Sequence, residues 1–343
     1  MLDSWVYTTY IEQLLLLVSI LFLIGFTIQQ SISFHLLQVN VSKLGISMCL
    51  IYLLEGYGST LDLYIVKCFV LLVSLVILLF WELSWWGLGW GVKLELEVLY
   101  LLNISSVLLF TSSYDIILFY LLLETQSLII YTIIILFRVK EVSLSVEACI
   151  KYFILGGFST SGLLLGGVLL YGIVGSTNLL LIIPLIEGCI NSEVILIAVS
   201  LIMVTILFKL GAAPLHFWSV DVCNASPLFV IMFILTIPKV RVLCIINMLN
   251  KCLLSTGYSF NGYLVISILF SLLIGAYLQV NIPRLLAYSS ISNLGIILIG
   301  FILMDIFLSL NAWLYIYAYS FLLILVTGVF SLMLKYESFD MGI

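Results

Sequence analysis

EVILIAVSLIMVTILFKLGAAPLHFW, residues 193–218, carries two opposed instructions in one stretch. From Val194 to Phe208 it is almost wholly apolar, the makings of a helix that crosses a bilayer. It then places Lys209, Gly211, Pro214 and His216 where such a helix should continue. Pro214 has no amide hydrogen, so the carbonyl of Leu210 loses its helical donor, and Gly211 loosens the same turn. Polar backbone released at membrane depth survives only against protein or a wet cavity. The stretch therefore predicts a membrane span interrupted near its end, with a lysine and a histidine at the break.

The surrounding chain agrees with that setting. Of 343 residues, 64% are hydrophobic and 8% charged, against roughly 25% charged in an ordinary soluble domain. The expected fold class is an all-α polytopic membrane protein. Apolar runs separated by breaks give about eleven spans, near 11–28, 35–54, 62–82, 95–112, 114–137, 148–172, 193–217, 227–249, 262–280, 285–304 and 310–335. The fourth and fifth are joined so tightly, at Ser112–Asp115, that a hairpin is expected. The net charge of −5 is thinly spread and leaves no nucleic-acid footprint. Seven scattered cysteines (Cys49, Cys68, Cys149, Cys189, Cys223, Cys244, Cys252) form no C-x-x-C pair, which argues for small buried hydrophobes rather than a metal cluster.

Orientation is read from the cations. With the N-terminus outside, Lys43, Lys93, Arg138, Lys140, Arg284 and Lys335 fall on the inner side and only Lys251 outside. The outer connections hold Glu55, Asp62, Asp115, Glu187, Glu193 and Asp305. Trp81, Trp85, Trp86 and Trp90 gather after the third span, as amphipathic rings do at the headgroup layer, and Gly87–Gly91 beside them reads as a turn. The first residues carry Asp3 and Glu12 but no Lys or Arg, so the expectation is a retained first span rather than a cleaved leader.

Five cations remain unassigned to connections, Lys67, Lys151, Lys209, Lys239 and Arg241, and Glu124 joins them as an acid in the middle of the fifth span. A charge at a helix centre costs about 2.5–3.5 kcal/mol on insertion scales, so such residues face the bundle interior and pair. Lys67, a turn inside its span, is expected to snorkel to the interface as a structural residue. Arg241 stays charged and tunes its neighbours. Pro238, just before Lys239, frees the carbonyl of Ile234 and repeats the device of the seventh span. Lysine loses its proton when desolvated and histidine titrates near neutrality. Glu124, Lys151, Lys209, His216 and Lys239 are thus the material of a proton relay.

At these residues the sequence resembles subunit 2 of NADH:ubiquinone oxidoreductase (complex I) and its bacterial counterpart, subunit N. The blocks are LLLETQSLIIY (121–131), SVEACIKYFILGG (145–157), FKLGAAPLHFW (208–218) and RLLAYSSISNLG (284–295). The resemblance implies the antiporter-like complex I fold with a broken seventh helix. Residues 1–113 would supply about four N-terminal helices, and 114–343 the proton-translocating ones. It implies that Glu124 pairs with Lys209, that Lys151 modulates the pair, and that His216 and Lys239 carry protons towards the exit. Ionised Glu124 would stabilise protonated Lys209, and separating them would release the proton. Quinone reduction elsewhere would drive that switch. NADH, FMN, iron–sulfur clusters and ubiquinone would belong to other subunits, leaving this chain no cofactor of its own.

Three departures stand out. Asn293 occupies a position where the family usually has histidine, so water must bypass it there. Ser219–Pro227 lacks the first proline and the glycine of the family's V-P-[DE]-V-x-x-G-x-P turn. The chain also stops near the end of the family's eleventh helix, before a second broken helix. The implied partners are the other membrane-arm subunits of complex I and a short second polypeptide supplying further helices. The implied location is the mitochondrial inner membrane, N-terminus in the intermembrane space, a setting with which scarce alanine and abundant Leu, Ile, Phe and Tyr agree. A cation/proton antiporter subunit and a degenerate scaffold of the same complex are the alternatives.

Overall fold

In the computed structural model residues 193–218 lie among helices. The structure describes residues 14–21, 42–51, 61–84, 90–136, 142–179, 181–182, 193–226, 228–254, 261–273, 279–302 and 306–340. Among these the helices are α1 (14–21) and α2 (Ser42–Ile51). There follow α3 (Leu61–Ser84), α4 (Trp90–Ser112), α5 (Ile116–Leu136), α6 (Val142–Val174), α7 (Glu193–Leu210) and α8 (Phe217–Ala225). The last are α9 (Leu228–Leu254), α10 (Asn261–Leu273), α11 (Ile282–Ile302) and α12 (Ile306–Asp340).

Six of the described helices are long and apolar enough to cross a membrane: Glu95–Ser112, Ile116–Leu136, Ser145–Val174, Glu193–Leu210, Ile282–Gly300 and Ala312–Phe330. They coincide with the fourth to seventh, tenth and eleventh expected spans. Ser42–Ile51, Ile65–Phe80 and Val230–Val240 are apolar but shorter. Several residues used for orientation lie outside the described residues or side chains: Lys93, Arg138, Lys140, Lys251, Lys335, Glu55, Asp62, Glu187 and Asp305. So do Arg241, Cys189, Cys244, Cys252 and the tryptophans at 81, 85, 86 and 90.

The chain folds into two units. The first comprises Met1–Ser112, Leu228–Ile237 and Phe321–Ile343. Here α3 packs on α4, and the Tyr100 hydroxyl donates to the Ser74 carbonyl at 3.0 Å, while its ring lies 5.3 Å from that of Phe233. Lys67 is only 3% exposed, which corrects the snorkelling expectation: its side chain is folded into the unit rather than reaching an interface.

The second unit comprises Ser113–Pro227 and Pro238–Ser320. Its centre is α6, which packs on α5, α7 and α8, while α11 packs on α8 and α10. Residues at the start of α5 and just after α6 are tied by one antiparallel bridge, Asp115 to Asn178, with Ile116 N donating to Thr177 O at 3.1 Å. Hydrocarbon supplies no hydrophobic drive between helices, so close packing must come from small residues. Gly162 and Gly166 do this on α6. A β-carbon at Gly166 would come within 2.7 Å of the Ala198 carbonyl oxygen, and one at Gly162 within 2.9 Å of Thr205 Cγ2. The two backbones meet along these positions, and α7 buries Ile195, Ala198, Val199, Ile202, Met203 and Ile206.

Candidate functional site

Helix α7 is closed by glycine rather than by proline. Gly211 adopts φ +67°, the left-handed conformation that only glycine reaches without strain. Its amide donates to the Phe208 carbonyl at 2.9 Å and the Ala212 amide to the Leu207 carbonyl at 3.0 Å. These two bonds are the pattern that closes a helix C-terminus, so α7 stops at Leu210, ahead of Pro214. The Trp218 indole Nε1–H also donates to the Phe208 carbonyl, at 2.9 Å. The end of α7 is thereby fastened to the start of α8, and the Trp218 ring lies 5.0 Å from Tyr152 of α6.

Lys209 sits in the last turn of α7 with its Nζ buried, 3.9 Å from where a β-carbon of Gly156 would stand. A β-carbon there would be in ordinary contact with the amine, so Lys209 runs directly beside α6. Glu124, half-buried on α5, has its Oε2 3.5 Å from the Ser127 hydroxyl. Both α5 and α7 pack against α6, so the helices bearing Glu124 and Lys209 share one neighbour.

His216 closes the turn and is 5% exposed. Its Nδ1 lies 3.2 Å from the Pro214 carbonyl. With Nδ1 as donor, Nε2 is left as the acceptor nitrogen. The ring stacks on Phe217 at 4.5 Å and lies 6.2 Å from Tyr288 of α11. The His216 carbonyl accepts from the Ser219 amide and hydroxyl, at 3.0 and 2.7 Å, which starts α8.

Lys239, 8% exposed on α9, lies within electrostatic reach of the fully buried Cys223 of α8. Helix α9 runs without interruption through Pro238. Here the structure corrects the expectation of a second interrupted helix: the proline removes an amide donor, yet the flanking turns carry the helix on.

Lys151 is held in a way the sequence did not announce. Its Nζ lies 2.7 Å from Glu147 Oε1 on its own helix and 3.0 Å from Asp221 Oδ2 on α8. The i, i+4 spacing of Glu147 and Lys151 is a signal that could have found the first contact. Asp221 had no such signal, because the contact spans 70 positions. Among the described residues, no group of three or more His, Cys, Asp or Glu converges as a metal site would.

Residues 113–341 match the model of a family described as NADH:quinone oxidoreductase/Mrp antiporter, transmembrane. The chain is 37% identical over 220 residues to NADH-quinone oxidoreductase subunit N of Ruthia magnifica, a match covering 61% of this chain and 44% of that protein. It is 38% identical over 217 residues to NADH-ubiquinone oxidoreductase chain 2 of Marchantia polymorpha, covering 60% and 44%. These matches therefore span less than half the length of the curated relatives. Among solved structures, a chain of respiratory complex I from Thermus thermophilus with bound aureothin superposes with TM-score 0.71 at 24% identity, covering 94% of this chain and 70% of that one. A chain of the Mrp complex from Dietzia sp. does so with TM-score 0.74 at 15% identity, covering 95% and 64%.

Proposed function

Because the chain belongs to the NADH:quinone oxidoreductase/Mrp antiporter transmembrane family, we propose that it is a proton-translocating membrane-arm subunit of an NADH:quinone oxidoreductase. What carries the proposal is the buried Lys209 amine, set in the last turn of α7 directly before a helix end and a buried His216. A cation buried in a bundle of apolar helices is costly to keep without a task. An amine there exchanges its proton only when a neighbouring charge or wet cavity changes the balance, which makes it a switch.

In this reading Glu124 is the counter-charge of Lys209 and Lys151 biases the pair from its Glu147–Asp221 clamp. His216 and Lys239 continue the path, His216 through its free ring nitrogen. Residues 114–343 do the translocating, with the interrupted seventh span at their centre, and 1–113 add about four helices of the eleven-span fold. The redox groups and the quinone lie on other subunits, whose reaction supplies the energy. The further partners are the neighbouring membrane-arm subunits. The setting is the mitochondrial inner membrane, N-terminus in the intermembrane space.

The test is Lys209→Met in the assembled complex reconstituted into vesicles. Proton translocation per electron should fall while the chain stays inserted. An unchanged ratio would sink the proposal and favour a scaffold. The family description also admits a cation/proton antiporter. That reading requires sodium or potassium flux through vesicles that hold the chain with its antiporter partners and no electron donor.

A further inference from the structure

Beyond Lys239, the path implied above meets a group that neither gains nor loses a proton at physiological pH: the amide of Asn293 on α11. The structure shows what surrounds it. The Tyr315 hydroxyl of α12 donates to Asn293 Oδ1 at 2.7 Å. Tyr319 lies one turn further along α12, on the same face. Its hydroxyl is buried and faces the side chains of Asn293, Ser289 and Ser290 without closing an aligned hydrogen bond to any of them. Cys223 is within electrostatic reach of both Tyr319 and Lys239, so the cluster adjoins the end of the relay.

Hydrogen counting decides what the cluster can do. Ser290 donates its hydroxyl hydrogen to the Ala287 carbonyl at 2.6 Å, and Ser289 donates to the Leu286 carbonyl at 2.9 Å. Both serine oxygens are left as acceptors. Asn293 Oδ1 is an acceptor too, already engaged by Tyr315. The two serine oxygens thus turn lone pairs towards Tyr319 beside the Asn293 amide, while its own O–H closes no hydrogen bond among the described residues. A site rich in lone pairs stabilises an arriving proton, and a hydroxyl that both accepts and donates passes it on.

We propose that Tyr319 and Tyr315, gathered round Asn293 with Ser289 and Ser290, form a hydroxyl path that carries protons onward from Lys239. The proposal rests on the proton-translocating reading above. In each transfer an N–H bond of Lys239 breaks and an O–H bond forms on the next oxygen, water filling the gaps. Each oxygen releases its original hydrogen to the following one and the last releases it to water beyond the path, so every hydroxyl ends with one hydrogen, that water has gained the proton and Lys239 ends neutral. Rotation of the hydroxyls resets the path. Asn293 serves as the fixed acceptor that aims Tyr315.

The test uses the assembled complex in vesicles carrying a pH-sensitive dye, with Lys239→Met as the parallel control. Tyr319→Phe keeps the ring and removes only the hydroxyl. Proton translocation should slow about tenfold, below the range usual for a positioned proton-transfer group, and Asn293→His in that background should restore it by adding a titratable nitrogen. Tyr315→Phe should show the same direction, and it decides the matter alone if Tyr319→Phe does not assemble. Normal translocation in the phenylalanine variants, with Lys239→Met inactive, overturns the hydroxyl path and leaves the parent reading standing. Normal translocation in Lys239→Met as well removes the parent reading.

Discussion

Lys151 and Asp221 meet at 3.0 Å across two helices, joining the first turns of α6 to the short helix that follows α7. The pair fixes α8, and with it the turn that carries His216, to the most connected helix of its unit. It is a mechanical tie as well as an electrostatic one.

Asp221→Asn should loosen that tie without abolishing the fold. Lys151 keeps Glu147 as a partner at 2.7 Å, and both side chains of the lost pair are nearly half exposed, so screening already limits its worth. The expected result is an assembled complex whose proton translocation falls by about fivefold or less. Measured against salt concentration, translocation by the parent should approach that of the variant as salt rises. A variant insensitive to salt and equal to the parent throughout would mean the contact positions nothing.

Gly166 and Gly172 make a matched pair for the packing of α6. A β-carbon at Gly166 would meet the Ala198 carbonyl oxygen at 2.7 Å and Ile202 Cγ1 at the same distance, while one at Gly172 meets nothing within 4 Å. Gly166→Leu should therefore drive α6 and α7 apart, with a cost of roughly 1–3 kcal/mol or more from overpacking, read as lost assembly on native gels. Gly172→Leu should assemble normally. Equal assembly of the two variants would show that α7 does not depend on that approach.

Asn103 on α4 is fully buried, and among the described residues neither its amide nitrogen nor its carbonyl oxygen has a hydrogen-bond partner. A buried amide left in that state costs about 1–3 kcal/mol. Asn103→Leu, close in volume and free of polar atoms, should leave thermal stability of the complex equal or raise it by a few degrees. A clear drop in melting temperature would show instead that the amide is held by a neighbouring chain, lipid or water.

The sequence by itself determined the class of protein, the membrane, and the residues around which the candidate site is built. Hydropathy and the apolar length of a span are local properties, and a lysine or proline inside such a span is conspicuous wherever it points. That is why Lys209, Gly211 and His216 were legible as a unit before any helix was placed. The tertiary structure decided matters that depend on how helices turn towards each other. Whether α7 ends at Gly211 or Pro214 is settled by one dihedral angle and two backbone bonds. Whether α9 is interrupted at Pro238 is settled by the turns around it. The burial of Lys67, the clamp on Lys151 and the hydroxyls around Asn293 each need a second helix at a fixed rotation and register. Apolar side chains facing hydrocarbon and those facing another helix read alike in sequence, because lipid and protein interior are equally apolar. Only the assembled helices, brought close where α6 carries glycine, tell the two apart.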